Sequence, residues 1–267
     1  MKQHHMLIIG AGRMAEAIFS GILKREENPF HITVSNDKDV TRLKELKKTY
    51  PVKTTTDWTA MAEKADVILL ACPPAAHENV LKKLSPSCNG QLVITVAAGI
   101  GPTDLETHLP KGTPTAWIMP NTAASVGESM SIYCFGQHVK ERDKQLISFI
   151  LDAIGMSEQL TESQIHHLTA ITGSAPAFLY FLAEALEQSA QSYGVAPEKA
   201  RELVIGMITG SAKMLKEYKD PTQLREQVTT PGGATAAGLQ SLLHDDFQGA
   251  LQRAVQATNG RAQARAN

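Results

Sequence analysis

The sequence predicts an α/β protein: an N-terminal, doubly wound, mostly parallel sheet followed by an all-helical segment. Three observations lead there. A glycine turn, Gly10-Ala11-Gly12-Arg13-Met14-Ala15, joins a short apolar run to a helix at the start of the chain. Apolar, β-branched runs then alternate with helical periodicity as far as Gln159, and past that point the strand signals give way to long helices. Strands spaced by helices imply parallel strands covered on both faces, and a run of helices alone implies a second layer. The expected domains are residues 1–159 and 160–267.

The first strand is Met6-Leu7-Ile8-Ile9, and its helix carries Glu16, Ala17, Ile18, Ile22 and Leu23. Gly10 permits the tight turn, Gly12 lets the backbone come close to phosphates, and Ala15 still allows close helix–strand packing. The helix start adds unpaired N–H groups and a partial positive charge, so the loop reads as a dinucleotide pyrophosphate site. His31–Ser35 is the second strand, ended by Asn36-Asp37 and followed by a polar helix over Val40, Leu43 and Leu46. A short Val52-Lys53-Thr54 segment and a helix around Trp58 to Lys64 precede a buried strand, Ala65–Ala71. Pro73-Pro74 stops that strand, and His77–Leu84 is its crossover helix.

Gln91–Ala97, Thr115–Ile118, Met130–Phe135 and Met156–Gln159 complete the strands, with a helix over Lys140–Ile154. Ligands of such sheets bind at the carboxyl ends of the strands. That rule places Gly10–Ala15, Asn36–Lys38, Ala71–Ala75, Ala97–Ile100 and Met119–Thr122 on one rim. The cofactor-binding candidates are therefore Gly10, Gly12, Arg13, Met14, Asn36, Lys38, Ala71, Pro74, Ala98, Gly99, Pro120 and Asn121.

The helical part reads as Thr161–Ala170, Ala175–Tyr193, Pro197–Tyr218 and Phe247–Ala264. Ala175–Ala190 is apolar nearly all round, through Phe178, Leu179, Tyr180, Phe181, Leu182 and Leu186. A stripe would suffice on a monomer surface, so this helix points to a subunit interface, with Glu184 pairing across it as a structural charge. Thr229-Thr230-Pro231-Gly232-Gly233-Ala234-Thr235 joins two helical segments. Its N–H groups converge on a helix start, which suits a small anion such as a carboxylate, and Thr230 and Thr235 add hydroxyls.

Composition excludes several classes. The formal net charge of −1 argues against nucleic acid or an anionic membrane as the main partner. Cys72, Cys88 and Cys134 lack CxxC spacing and read as reduced thiols in a cytoplasmic protein. No signal peptide fits the start, and the most apolar stretch, Ala175–Ala183, breaks at Glu184, well short of the roughly 20 residues of a membrane span. The adjacent pairs His4-His5 and His166-His167 diverge and lack a carboxylate partner, so no metal site is expected. His77 falls near the rim or on a helix surface, and Trp58 and Trp117 read as packing residues.

With these segments in hand, the chain resembles the pyrroline-5-carboxylate reductase family nearly end to end. Gly10–Ile18 resembles its cofactor loop, and Ala97-Ala98-Gly99-Ile100 its mid-sheet loop. Met119-Pro120-Asn121-Thr122 with Val126-Gly127-Glu128 resembles its MPNTPxxxGEG segment, and Thr172–Ala177 its SGSGPAY helix start. Thr230–Thr235 is similar to its SPGGTT signature, and Gly238-Leu239 and Phe247–Ala250 also fit. The resemblance implies a Rossmann-like domain, a helical domain that interlocks with a second subunit, and reduction of 1-pyrroline-5-carboxylate to L-proline. It implies a homodimer or higher oligomer, with the active site in the cleft where the helical domain meets the nicotinamide. It also implies a carboxylate seat on Gly233, Ala234 and Thr235, shaped by Gly232 and helped by Thr230. Thr235 would be the catalytic hydroxyl on the ring nitrogen, with the nicotinamide held near Pro120 and Asn121.

Departures from the family pattern are Cys72-Pro73-Pro74-Ala75 in place of its Lys-Pro-Gln, Ala123, Phe178 and Thr230. They leave open a divergent paralogue acting on another small cyclic imine, or a nucleotide sensor without catalysis. After the second strand, Asn36 takes the usual acidic position, Asp37 follows and Lys38 comes next. Asn36, Lys38 and Arg13 favour a 2′-phosphate and hence NADPH, while Asp37 opposes it and keeps NADH as the alternative. A β-hydroxyacid dehydrogenase would need a basic residue on its first long helix, and none lies between Lys144 and Lys199.

Overall fold

The computed structural model describes residues 3–266, with side chains through Arg261. Its first compact unit holds residues 3–174 and 258–266. The elements alternate as β1 (His4–Ile9), α1 (Arg13–Leu23), β2 (Phe30–Ser35), α2 (Val40–Thr49), β3 (Lys53–Thr55), α3 (Thr59–Ala62), β4 (Val67–Leu70) and α4 (His77–Leu84). They continue as β5 (Leu92–Thr95), α5 (Pro102–His108), β6 (Thr115–Met119), β7 (Ser129–Phe135), α6 (Glu141–Asp152), β8 (Gly155–Gln159) and α7 (Glu162–Thr169).

The strands form one sheet in the order β3-β2-β1-β4-β5-β6-β7-β8. All neighbours pair parallel except β6 with β7, so the sheet is mostly parallel, as expected from the alternation. The order reverses between β1 and β4, where Ile8 pairs with both Val34 and Leu69. That reversal opens the crevice in which such sheets take ligands. Alternation along β1 sends Met6 and Ile8 into a core with Ile18, Phe19, Ile22 and Val34. Leu7 and Ile9 face a second core with Ile68, Leu70, Leu81 and Leu84. Both faces of the sheet are thus covered by apolar cores.

Two helices were not expected from the sequence, and one contracts. α5 starts at Pro102, with the Asp104 carboxylate accepting the Gly101 N–H at 3.1 Å. The second is α10 (Pro221–Gln227), capped by Asp220, which accepts the Gln223 N–H at 3.0 Å. The helix expected around Trp58 to Lys64 contracts to α3, because Trp58 turns into the core at its N-cap. α7 ends in a π-helical turn over Ala170–Ser174, where one extra residue loosens the helical ladder.

The second unit is Ala175–Ala257. It contains α8 (Ala175–Ser192), α9 (Pro197–Tyr218), α10, α11 (Ala234–His244) and most of α12 (Phe247–Ala266). Its only buried apolar side chains among the described residues are Ala200 and Val204. No residue of α8 is buried in the single chain, and Phe181 is 72% exposed. Glu184 is exposed as well and has no ion pair among the described residues. No helix among the described residues is long and apolar enough to cross a membrane.

Candidate functional site

The glycine loop sits at the β1/β4 switch point. Gly10 has φ +116°, and a Cβ there would stand 2.5 Å from the Ala71 carbonyl oxygen. Only glycine tolerates both the backbone angle and the approach. Gly12 is the N-cap of α1 with an ordinary φ of −74°, and nothing lies within 4 Å of where its Cβ would be. No side chain caps α1. Its first N–H groups therefore face open space with the positive end of the helix dipole behind them, as an anion seat requires.

Arg42, which the sequence gave no reason to single out, braces this loop. Its Nε–H donates to the Ala11 carbonyl at 3.2 Å, and its guanidinium pairs with Glu16. Tyr50 donates its hydroxyl to the other Glu16 oxygen at 3.1 Å. Burial and the Glu16 carboxylate together hold the Tyr50 phenol above its usual range. Arg13 and Met14 line a cavity of about 660 Å³ beside α1, with Ser20, Lys24 and Thr122.

At the end of β2 the Asn36 side-chain oxygen accepts the N–H groups of Lys38 (3.0 Å) and Asp39 (3.1 Å). Asp39 caps α2 by accepting the Arg42 N–H at 2.8 Å. Among the described residues, the Asn36 amide nitrogen and the Lys38 ammonium donate to no partner. Ala71, Pro74, Ala98 and Gly99 follow the ends of β4 and β5 on the same rim. Cys72 beside them has its thiol pushed up to about 11, by burial first and then by the Asp37 carboxylate. Burial thus favours the neutral thiol over the thiolate there.

Pro120 and Asn121 follow β6, and both are buried. The Asn121 side chain makes two internal hydrogen bonds. Its oxygen accepts the Ala123 N–H at 3.0 Å, and its nitrogen donates to the Thr172 carbonyl, also at 3.0 Å. That carbonyl belongs to the π-helical turn and is left free to accept because Pro176, four residues on, has no N–H to offer it.

In the helical unit, Gly232 has φ +73° and an open surround, and Gly233 is the N-cap of α11. No side chain caps α11, so the N–H groups of Ala234, Thr235 and Ala236 stand free at a helix start. The Gly233 N–H differs from expectation: it donates to the Thr230 carbonyl at 2.9 Å and closes the turn. The uncapped start of α11 thus begins with the N–H groups of Ala234 and Thr235. Thr230 and Thr235 are exposed in the single chain.

Comparison with known proteins bears on both units. A family model described as pyrroline-5-carboxylate reductase dimerisation matches residues 162–265, and one described as coenzyme F420-dependent NADP oxidoreductase matches residues 5–99. A pyrroline-5-carboxylate reductase of Pasteurella multocida is 36% identical, with 98% of each chain covered. The chain belongs to the pyrroline-5-carboxylate reductase family. A second relative, pyrroline-5-carboxylate reductase 2 of Bacillus subtilis, is 33% identical over 95% of this chain and 92% of its own. The solved structure of a Plasmodium falciparum pyrroline carboxylate reductase with NADP bound superposes at a TM-score of 0.89. It is 28% identical, and both chains are covered in full.

Within this pyrroline-5-carboxylate reductase family chain, the sequence did not foresee that Arg42 and Tyr50 contact the glycine loop and the first helix, and His77 changes standing. His77 is only 2% exposed, so it belongs to the interior and not to a helix surface. No group of three or more metal-ligating side chains is found among the described residues.

Proposed function

We propose that this chain reduces 1-pyrroline-5-carboxylate to L-proline with NADPH as hydride donor. It does so as a cytoplasmic homodimer built through its helical unit. One observation carries the reading: two helices, α1 and α11, each begin at a glycine, lack a side-chain cap and present free N–H groups. One such start suits a pyrophosphate and the other a carboxylate. Family membership supplies the reaction that needs both.

The rim residues fit a dinucleotide, because Gly12 leaves its approach open and the Asn36 amide and Lys38 are free donors for a 2′-phosphate. An adenosine ribose diol would want a carboxylate acceptor at position 36, which this chain lacks. When bound, the reduced nicotinamide supplies the hydride, and the protein's own task is positioning. Ala234 and Thr235 hold the substrate carboxylate through their N–H groups, with Thr230 beside them. The Thr235 hydroxyl hydrogen-bonds the ring nitrogen and orients the imine, whose protonated form is already electrophilic.

The test compares wild type with Thr235→Ala, following NADPH and NADH consumption by nicotinamide absorbance in the presence of 1-pyrroline-5-carboxylate. Substrate-dependent consumption, faster with NADPH and reduced about 100-fold in the folded variant, is the expected result. Cofactor binding without turnover would overturn the reductase reading in favour of another cyclic imine or a sensing role.

A further inference from the structure

His77 begins α4 behind the rim, where it joins two loops that the sheet leaves separate. The ladder between them ends with the Val96 N–H donating to the Leu70 carbonyl at 3.2 Å. Beyond that point the His77 ring takes over. Its Nδ1 lies 3.2 Å from the Pro73 carbonyl oxygen, and its Nε2 lies 3.0 Å from the Thr95 hydroxyl. Thr95 also accepts the Ala97 N–H at 3.1 Å. From the other side, the Trp117 indole donates to the Ala97 carbonyl at 2.9 Å. Trp117 is fully buried, with the His166 ring 4.7 Å from its own. Among the described residues, no other side-chain hydrogen bond joins the loop after β4 to the loop after β5.

One proton arrangement satisfies every group. The Pro73 carbonyl only accepts, so Nδ1 carries the hydrogen and Nε2 is bare. The Thr95 hydroxyl then donates to Nε2 while accepting from Ala97. A directed chain runs from the Ala97 N–H through Thr95 and His77 to Pro73, with a neutral ring. Burial lowers the His77 pKa, in keeping with that neutral state. The Cys72 sulfur, 3.6 Å from Nδ1, adds no charge.

We propose that His77 is a positioning residue that sets the spacing between the rim loops 71–76 and 97–101, and thereby the seat of the dinucleotide. Ala71 and Pro74 stand on one loop, Ala98 and Gly99 on the other. A dinucleotide lying across the rim touches both, so its affinity depends on their separation. The inference rests on the cofactor reading above. It assigns the role to a ring that never meets the ligand.

The experiment uses the full chain and measures NADPH binding directly by nicotinamide fluorescence, beside steady-state kinetics and amide exchange at Ala97 without cofactor. The variants are His77→Ala, His77→Gln, Thr95→Val and the His77→Ala/Thr95→Val pair, with the exposed His108→Ala as control. His77→Ala should weaken NADPH binding about tenfold, the effect of one lost buried hydrogen-bonded link. It should change the KM for the imine by less than about twofold, since that ligand is held elsewhere. Gln, whose amide reaches Thr95, should restore part of the affinity. The pair should be no weaker than the worse single, because both act through one chain of bonds. Ala97 should exchange faster in both single variants.

Unchanged NADPH affinity in folded His77→Ala and Thr95→Val overturns the proposal. Equal losses for NADPH and imine do so too, since they mark general loosening. A wild type that binds no dinucleotide overturns the cofactor reading itself, and the proposal with it.

Discussion

The Arg42 side chain donates its Nε–H to the main-chain carbonyl of Ala11 at 3.2 Å, tying the first turn of α2 to the middle of the glycine loop. The same guanidinium pairs with Glu16 in the first turn of α1. Both partners are under a third exposed, so the pair is not a freely solvated one. Arg42→Met leaves the Glu16 carboxylate partly buried without its cation and Ala11 without its donor. A loss of about 1–3 kcal/mol in stability is expected, together with weaker NADPH binding. Arg42→Lys should recover part of the stability but not the affinity, because an ammonium lacks the fork that reaches Ala11 and Glu16 together. Urea unfolding and cofactor titration check the two effects separately, and unchanged cofactor affinity in Arg42→Met would remove Arg42 from the site.

Gly10 and Gly12 are two residues apart, and alanine should affect them in opposite ways. At Gly10 the new Cβ meets the backbone of Ala71 and Cys72 at a φ of +116°, and none of those atoms can swing aside. Gly10→Ala should lose more than about 2 kcal/mol of stability. At Gly12 the Cβ enters open space at an ordinary φ. Gly12→Ala should stay within about 1 kcal/mol of wild type, the difference between residues at a helix N-cap. It should nevertheless bind NADPH poorly, since the methyl stands where the pyrophosphate approaches. Thermal melts with and without cofactor separate the two cases. A stable Gly12→Ala that binds NADPH normally would move the pyrophosphate elsewhere.

Those glycines also show what a sequence makes legible. A turn that demands positive φ and close backbone approach restricts the residue type, so Gly10–Ala15 declares itself. So do the apolar strands Val67–Leu70 and Leu92–Thr95. α5 was readable too, since Gly101-Pro102 with Asp104 is an N-terminal helix signature, and Asp220-Pro221 announces α10 in the same way. Arg42–Ala11 and His77–Thr95 were not readable, because the partners lie 31 and 18 residues apart and meet only through packing. In the π-helical turn the Thr172 carbonyl accepts from Asn121, 51 residues away. Local sequence does show that the Thr172 carbonyl is freed, because Pro176 four residues on has no N–H to give it, but not that Asn121 takes it up.

Acid should destabilise the protein through His77. Burial lowers its pKa, so the folded state binds fewer protons there than the unfolded chain. The stability of the neutral ring is fully present above the unfolded value of about 6.5 and declines as pH falls through it toward the lower folded value. Cys72, the titratable side chain on the ring, stays a thiol across this window with its pKa of about 11. Urea unfolding of wild type and His77→Asn across about pH 5 to 7.5 should diverge on the acid side, with wild type losing more. Asn keeps a donor toward Pro73 but has no proton to gain. Parallel profiles would show that His77 is not held neutral.

The apolar sequence of α8 describes an assembled state. Phe181 is 72% and Tyr180 57% exposed in the single chain, and Leu203, Ile205 and Leu243 of α9 and α11 are each more than half exposed. A helical layer with two buried apolar side chains of its own cannot offset its chain entropy unaided. Its stability is therefore expected to come from a second copy, and to depend on concentration. Tenfold dilution should lower the unfolding free energy of the dimer by about 1.4 kcal/mol and shift the melt accordingly. Phe181→Asp places a carboxylate at the most exposed apolar site of α8 and should give a monomer by light scattering, with reduced helical signal. A wild type that scatters as a monomer at micromolar concentration, with a melt indifferent to dilution, would mean that these helices are stable with their apolar faces in water.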